Sequence, residues 1–164
     1  MRGVPVDREA AYQRMLNAVQ DIADYAKTHE KRLLIENNVI SPFYLKEVAQ
    51  NPLLMTEARE IDRFMNEVDR SNVGFLIDVG HARVSATALN FDPLEFMERV
   101  EPYTEALHLS DNDGLEDQNL PFDETAWFWS ALDSYADGPM VIEAYAMDDE
   151  DFVHALKLLE TWVA

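Results

Sequence analysis

Cysteine is absent from the chain, which excludes disulfides and thiolate metal sites and leaves carboxylates and histidines as the only strong metal donors. Positive charge is scarce: 13 lysines and arginines stand against 32 aspartates and glutamates, for a formal net charge of −19. An acidic surface of this kind repels phosphate backbones and anionic lipid, so neither nucleic acid nor a membrane is an expected partner. No apolar run approaches the roughly 20 residues that cross a bilayer, and Met1–Asp7 lacks the apolar centre of a signal peptide. The expected location is cytoplasmic. Length is also short: 164 residues, about half of them apolar, suit one soluble domain over 1–164. They fall short of the about 250 residues of an eight-stranded α/β barrel.

Four short apolar runs are present, Arg32–Ile35, Val73–Ile77, Ala106–Leu109 and Met140–Ile142. Each is rich in Leu, Ile or Val and does not alternate with polar residues, the pattern of a strand buried on both faces. Helical spacing separates them. Residues 8–29 place Tyr12, Met15, Val19, Ile22, Ala23 and Ala26 on one face behind Asp7 as N-cap. A second helix is expected over 57–69, after Thr56, with Ile61, Phe64, Met65 and Val68 inward. Asp92-Pro93-Leu94-Glu95 opens a third, to about Val100, with proline at the first helical position. Two more are expected over 125–135 and 149–163, the last with Phe152, Leu156, Leu159 and Val163 inward, and Ser41-Pro42 starts a short extra one. Strands alternating with helices imply parallel pairing and right-handed crossovers. Residues 111–124 form an acidic loop; its Asp111-Asn112-Asp113-Gly114 start resembles a calcium loop but lacks the downstream glutamate spacing.

In parallel α/β folds the chemistry gathers at the carboxyl ends of the strands. Here each run ends in a residue that binds metal or moves a proton: Glu36 in Ile35-Glu36-Asn37-Asn38, Asp78 in Asp78-Val79-Gly80-His81, His108 in His108-Leu109-Ser110-Asp111-Asn112, and Glu143 in Val141-Ile142-Glu143. One such residue is commonly a solvated strand end or a hydrogen-bonded core histidine. Four out of four are harder to assign to chance. If the strands curve into a barrel wall, Glu36, Asp78, His108 and Glu143 converge. Three carboxylates brought that close raise one another's pKa values, and a divalent cation removes the cost. Three oxygens and one imidazole favour Mn2+ or Mg2+, with Zn2+ or Co2+ as alternatives.

These four motifs, in this order and spacing, resemble consecutive motifs of the xylose isomerase-like barrel superfamily, which contains sugar and sugar-phosphate isomerases and epimerases, inosose dehydratases and endonuclease IV. The resemblance covers nearly the whole chain and implies a partial (β/α)8 TIM barrel, with these strands standing for strands five to eight. It implies one divalent metal on Glu36, Asp78, His108 and Glu143, the two glutamates doubling as acid and base, and substrate contacts from His81, Asn38 and Asp111. The chain departs from the pattern at Asp117-Gln118-Asn119, where Asn119 stands for the family's histidine and the following Gly-x-Gly turn is missing. That speaks against a trinuclear zinc site.

The first expectation is therefore a metal-dependent isomerase or epimerase in carbohydrate metabolism, working on a small sugar or sugar phosphate through an enediolate. The second is a truncated, non-catalytic half-barrel that binds metal or a partner half. An endonuclease IV-like DNA repair enzyme stands third. Four parallel strands cannot close a barrel, so a homodimer or a missing N-terminal half-barrel is expected to complete it.

Overall fold

In the computed structural model, residues 7–48, 50–135, 138–145 and 147–163 are described. Within the Met1–Asp7 stretch, only Asp7 belongs to them. The element order is α1 (Arg8–Thr28), β1 (Leu33–Glu36), α2 (Pro42–Val48), α3 (Ala58–Val68), β2 (Val73–Asp78), α4 (Val79–Leu89), α5 (Pro93–Val100), a 3-10 turn at Glu101–Tyr103, β3 (Thr104–Leu109), α6 (Trp129–Leu132), a second 3-10 turn at Asp133–Tyr135, β4 (Met140–Ile142) and α7 (Asp149–Val163). The strands form one parallel sheet in the order β1-β2-β3-β4, so each strand lies beside its predecessor. That is the wall of a TIM barrel cut to an arc of four strands.

The side-chain period of two divides each strand between the faces of the arc. Phe75, Ile77, Leu107 and Leu109 point to the helices and are buried with Tyr12, Phe64, Met97, Val100 and Leu132 in one continuous core. On the opposite, concave face Leu34 and Leu76 are half-buried and Val141 is exposed. The amino-terminal end of that face is crossed by the Arg32–Glu105 ion pair, with Arg32 Nε 2.6 Å from Glu105 Oε2. Glu105 reaches there because the β2/β3 register slips between Phe75 and Leu76. Both partners are exposed, and such a pair contributes about 0–1 kcal/mol.

Several helix signals act as the sequence implies. Asp7 caps α1 by accepting from Ala10 N at 3.0 Å, and Asp92 caps α5 by accepting from Leu94 N at 2.8 Å, with Pro93 in the first turn. Thr56 is buried in front of α3, but Glu57 holds the N-cap position and makes no capping bond. Four expectations need correction. The helix α4 starts at the residue after β2, with no loop, and was not anticipated; Val79, Gly80, Ala82, Val84, Ser85 and Ala86 are all buried, so its polar stripe narrows to Arg83 and Thr87 and the helical period is weak. The helix expected over 125–135 is a single α turn and a 3-10 turn, because Phe122, Trp127, Phe128 and Trp129 pack edge to face and hold that segment in an irregular course. Ile22 on α1 is exposed, and Leu16 takes its place in the core. On α7, Phe152 and Leu156 are exposed, while Ala155, Leu159 and Trp162 make the inner stripe; the Val163 side chain lies outside the described set.

Candidate metal centre

The four strand ends deliver their last polar side chains to one point. Glu36 ends β1, Asp78 ends β2, His108 is the penultimate residue of β3 and Glu143 follows β4 directly. Register places them side by side, with Asp78 opposite His108 and His108 opposite Val141, two residues before Glu143 on the same face. Glu143 is anchored by its own N–H, which donates to Leu109 O at 3.0 Å and extends the sheet by one step. One donor atom from each of Glu36, Asp78, His108 and Glu143 lies within 4.8 Å of all the others. His108 Nδ1 is 3.7 Å from Glu36 Oε1 and 3.8 Å from Asp78 Oδ2, and it touches Glu143 Oε2.

Three of these atoms, Asp78 Oδ2, His108 Nδ1 and Glu143 Oε2, are buried and have no hydrogen-bond partner. The His108–Glu143 contact is close, yet not aligned as donor to acceptor, so the two atoms share a direction and do not satisfy each other. A buried polar atom left unpaired costs about 1–3 kcal/mol. A divalent cation with bonds of about 2.0–2.2 Å holds its ligands roughly 3–4 Å apart, and it offsets that cost for all of them together. The donor set, three carboxylates and an imidazole, is one that Mn2+, Mg2+ or Zn2+ accepts. Among the described residues this quartet is the one group of its kind.

Asp78 is fully buried, and its two oxygens are divided. Oδ1 accepts from His81 N at 2.7 Å as the N-cap of α4, and Oδ2 faces the quartet. Burial pushes its carboxyl up to about 6, against the lowering influence of His81. His81 is held at the start of α4. Burial works against its charged form, but the Asp117 carboxylate 3.2 Å from Nε2, the Asp78 charge and the Asn37 carbonyl outweigh it and lift the imidazole to about 9. Its Nδ1 lies 2.8 Å from Asn37 O and 3.5 Å from Glu36 Oε1; the shorter contact makes the carbonyl the partner and puts a proton on Nδ1.

The other two residues named from the sequence sit at the rim. Asn38 is exposed, and its Oδ1 accepts from Val39 N at 2.9 Å. Asp111 Oδ1 is engaged by Arg83 and by Asn112 N at 2.8 Å, which leaves Oδ2 as the oxygen open to a further contact. Asn119 is buried with φ +47°; its carbonyl accepts from Tyr145 N at 2.7 Å and its Oδ1 has no partner.

Asn37, Gly80 and Asn112 stand inside the sequence motifs without a task legible there, and the structure gives each one. Asn112 Nδ2 donates to Gly80 O at 2.9 Å, and its Oδ1 accepts from Gly114 N at 2.9 Å, tying the end of β3 to the start of α4. Gly80 has no room for a side chain: a Cβ there would stand 2.6 Å from Ser110 Oγ and 3.2 Å from both Asn112 Nδ2 and Asp78 Oδ1. The signal was present in three of the four motifs, as Asn37 directly after Glu36, Gly80 two residues after Asp78 and Asn112 four residues after His108; Glu143 has no such neighbour.

The chain finds no match among curated proteins. Among solved structures it is similar to a D-tagatose 3-epimerase-like protein, with a TM-score of 0.72 and 20% identity over 93% of this chain and 54% of that one. It is similar to the D-psicose 3-epimerase of Clostridium cellulolyticum H10, described with D-tagatose, with a TM-score of 0.68 and 18% identity over 98% and 59%. A third similar structure is the Thermus thermophilus protein TTHB071, from crystals soaked with ZnCl2, with a TM-score of 0.64 and 24% identity over 98% and 58%. At these identities the likeness establishes the fold. The chain spans somewhat more than half the length of these proteins. The sequence profile of one family matches residues 1–162, and the chain accordingly belongs to the xylose isomerase-like TIM barrel family.

Proposed function

We propose that this chain carries the metal-binding and proton-transfer end of a sugar isomerase or epimerase. The observation that supports it most is the convergence of three buried, unpartnered atoms, Asp78 Oδ2, His108 Nδ1 and Glu143 Oε2, on one point beside Glu36. The solved relatives with epimerase in their descriptions agree with this reading. A divalent cation bound by Glu36, Asp78, His108 and Glu143, with Mn2+ or Mg2+ the best match to the donors, supplies Lewis acidity toward a carbonyl and its neighbouring hydroxyl. The protein's own part is proton transfer. Glu36 and Glu143 come from the two outer strands and enter the site from opposite sides. One takes the proton from a substrate carbon next to a carbonyl, leaving an enediolate, and the other returns a proton to it. His81, charged and fixed by Asn37 and Asp117, orients a substrate hydroxyl. The sugar-binding walls that four strands do not provide come from elsewhere.

A second reading is favoured by the two outer strands, whose far edges have no partner among the described residues. In it the chain holds metal but turns nothing over until further strands complete the wall.

One experiment separates the two. Metal-stripped protein is titrated with Mn2+ while its melting is followed, then incubated with a ketohexose in D2O. A native-state ligand raises stability by mass action, about 2.7 kcal/mol at 100 times its Kd. The first reading expects that rise, deuterium at the substrate carbon, and loss of the deuterium in Glu143→Gln. Stabilisation without exchange selects the second, and well-folded protein indifferent to millimolar Mn2+ sinks both.

A further inference from the structure

Asn37 stands one residue past β1, where backbone pairing with β2 has ended at Glu36 and Leu76. There the chain turns away, and the N–H of Asn38 goes to Met55 O at 2.9 Å. The Asn37 side chain continues the ladder in its place. Its Oδ1 accepts from Asp78 N at 2.8 Å and its Nδ2 donates to Asp78 O at 3.0 Å, so one carboxamide pairs with both backbone groups of Asp78 as a neighbouring strand would. Its own carbonyl takes the Nδ1 proton of His81 at 2.8 Å. The residue is 1% exposed, and no water competes for these bonds.

We infer that Asn37 is a positioning residue: it fixes the spacing between Glu36 and Asp78 and sets the orientation of His81, all from one buried position that never touches metal or substrate. A peptide bond cannot do this, because continuing β1 as a strand past Glu36 would put the backbone where the chain must leave to form α2. A side-chain amide pairs with Asp78 and leaves the main chain free to turn. An aspartate would accept from Asp78 N but could not donate to Asp78 O, and it would add a fourth carboxylate beside the quartet. Alanine removes both bonds to Asp78 and leaves the carbonyl to His81. The inference rests on the metal-site reading above only for its consequence, because the clasp itself is a matter of hydrogen bonds.

The test pairs two variants with two readouts. Asn72 is the control: its buried carboxamide donates to Ala23 O at 2.8 Å and Lys31 O at 3.2 Å, at the opposite end of β2. Groups that orient metal ligands without touching the metal change affinity by about 10–100-fold when removed. Asn37→Ala is expected to weaken Mn2+ binding by that factor, measured below the melting range, while Asn72→Ala lowers the melting temperature and leaves Mn2+ affinity at the wild-type value. Amide hydrogen exchange is independent of metal: in the wild type the Asp78 N–H, beyond the last β1–β2 pair, is expected to be as protected as that of Ile77, and in Asn37→Ala to exchange at least tenfold faster relative to it. Wild-type Mn2+ affinity in folded Asn37→Ala, or equal losses in the two variants, overturns the inference. So does a fast-exchanging Asp78 amide in the wild type, which needs no variant to fold. If the wild type binds no Mn2+ while Asp78 shows the exchange pattern, the metal reading fails and the clasp stands.

Discussion

The two oxygens of Asp78 carry opposed demands, one capping α4 and the other buried without a partner. The group's pKa in the folded protein, about 6, lies above the ordinary 3.8. The folded state therefore holds this proton more tightly than the unfolded chain does. By linkage the metal-free protein loses stability on this account as pH rises from about 4 to about 6, and carries the whole cost above that. At 1.36 kcal/mol per pKa unit the cost is at most about 3 kcal/mol. Asparagine has nearly the same shape and caps helices equally well, but has no charge to bury. Asp78→Asn is accordingly expected to melt higher than the wild type at pH 8 in the presence of a chelator, to lose that advantage at pH 4, and to gain nothing from Mn2+ at either pH. Thermal melts at the two pH values check it. A variant that is less stable by the same amount at both would show that Oδ2 is satisfied by some other means. The stabilising substitution would remove a ligand of the proposed metal site, the trade expected where a site is held against its own repulsion.

At the level of elements, the helix that begins without a loop after β2 explains the glycine in Asp78-Val79-Gly80-His81. Alanine is the better helix former by about 1 kcal/mol. At position 80 its Cβ meets Ser110 Oγ, Asn112 Nδ2 and Asp78 Oδ1 within 3.2 Å. Overpacking of that kind costs typically 1–3 kcal/mol, and two of these neighbours, Asn112 Nδ2 and Asp78 Oδ1, are themselves hydrogen-bonded to backbone. The clash outweighs the propensity, so Gly80→Ala is expected to lower unfolding free energy by about 1–2 kcal/mol in urea titrations. An unchanged or raised midpoint would mean that Ser110 moves aside freely. This also shows how far the sequence can be read. The strands and the acidic or histidine residue closing each were legible, because a buried parallel strand is an apolar run and its last residue lies at the carboxyl end whatever the curvature. The helix α4 was not, because it is buried over most of its surface, which leaves only a weak amphipathic period, and because Gly80 and the β-branched Val79, Val84 and Thr87 dilute the propensity of its three alanines. Nor were the tasks of Asn37 and Asn112, since a carboxamide that replaces a peptide bond has no pattern of its own in one dimension. The convergence of Glu36, Asp78, His108 and Glu143 followed from the strand order; the alignment of their unpaired atoms did not.

At the scale of the whole molecule, a group of the exposed apolar residues lies where the arc ends. Val141 faces the open concavity, Ile22 and Tyr25 project from α1 beside the first strand, and Phe152, Val153 and Leu156 project from α7 beside the last. Both outer strands keep a free edge among the described residues. Two copies related by a two-fold along the barrel axis bring β4 of each beside β1 of the other in parallel, and α7 of each beside α1 of the other. Such an interface is self-complementary and closes eight strands. Burying a large apolar side chain fully contributes about 1.5–3 kcal/mol, so five or six per copy, even half-buried, compare with the 5–15 kcal/mol stability of a whole domain. Opposing this is charge, −19 on each copy. Salt shortens the reach of that repulsion from about 30 Å at 0.01 M to about 3 Å at 1 M, and leaves the apolar contribution intact or stronger. The two terms scale differently with ionic strength, which makes the expectation specific. At low micromolar concentration, light scattering is expected to give a mass near one chain at 0.01 M NaCl, rising toward two chains at 1 M. Charged substitutions on the flanks, Tyr25→Glu with Leu156→Glu, are expected to hold the chain to one copy at any salt without unfolding it. A wild-type monomer that melts cooperatively at every ionic strength would mean that the open edges and flanks are tolerated in water, and would overturn the two-fold pairing.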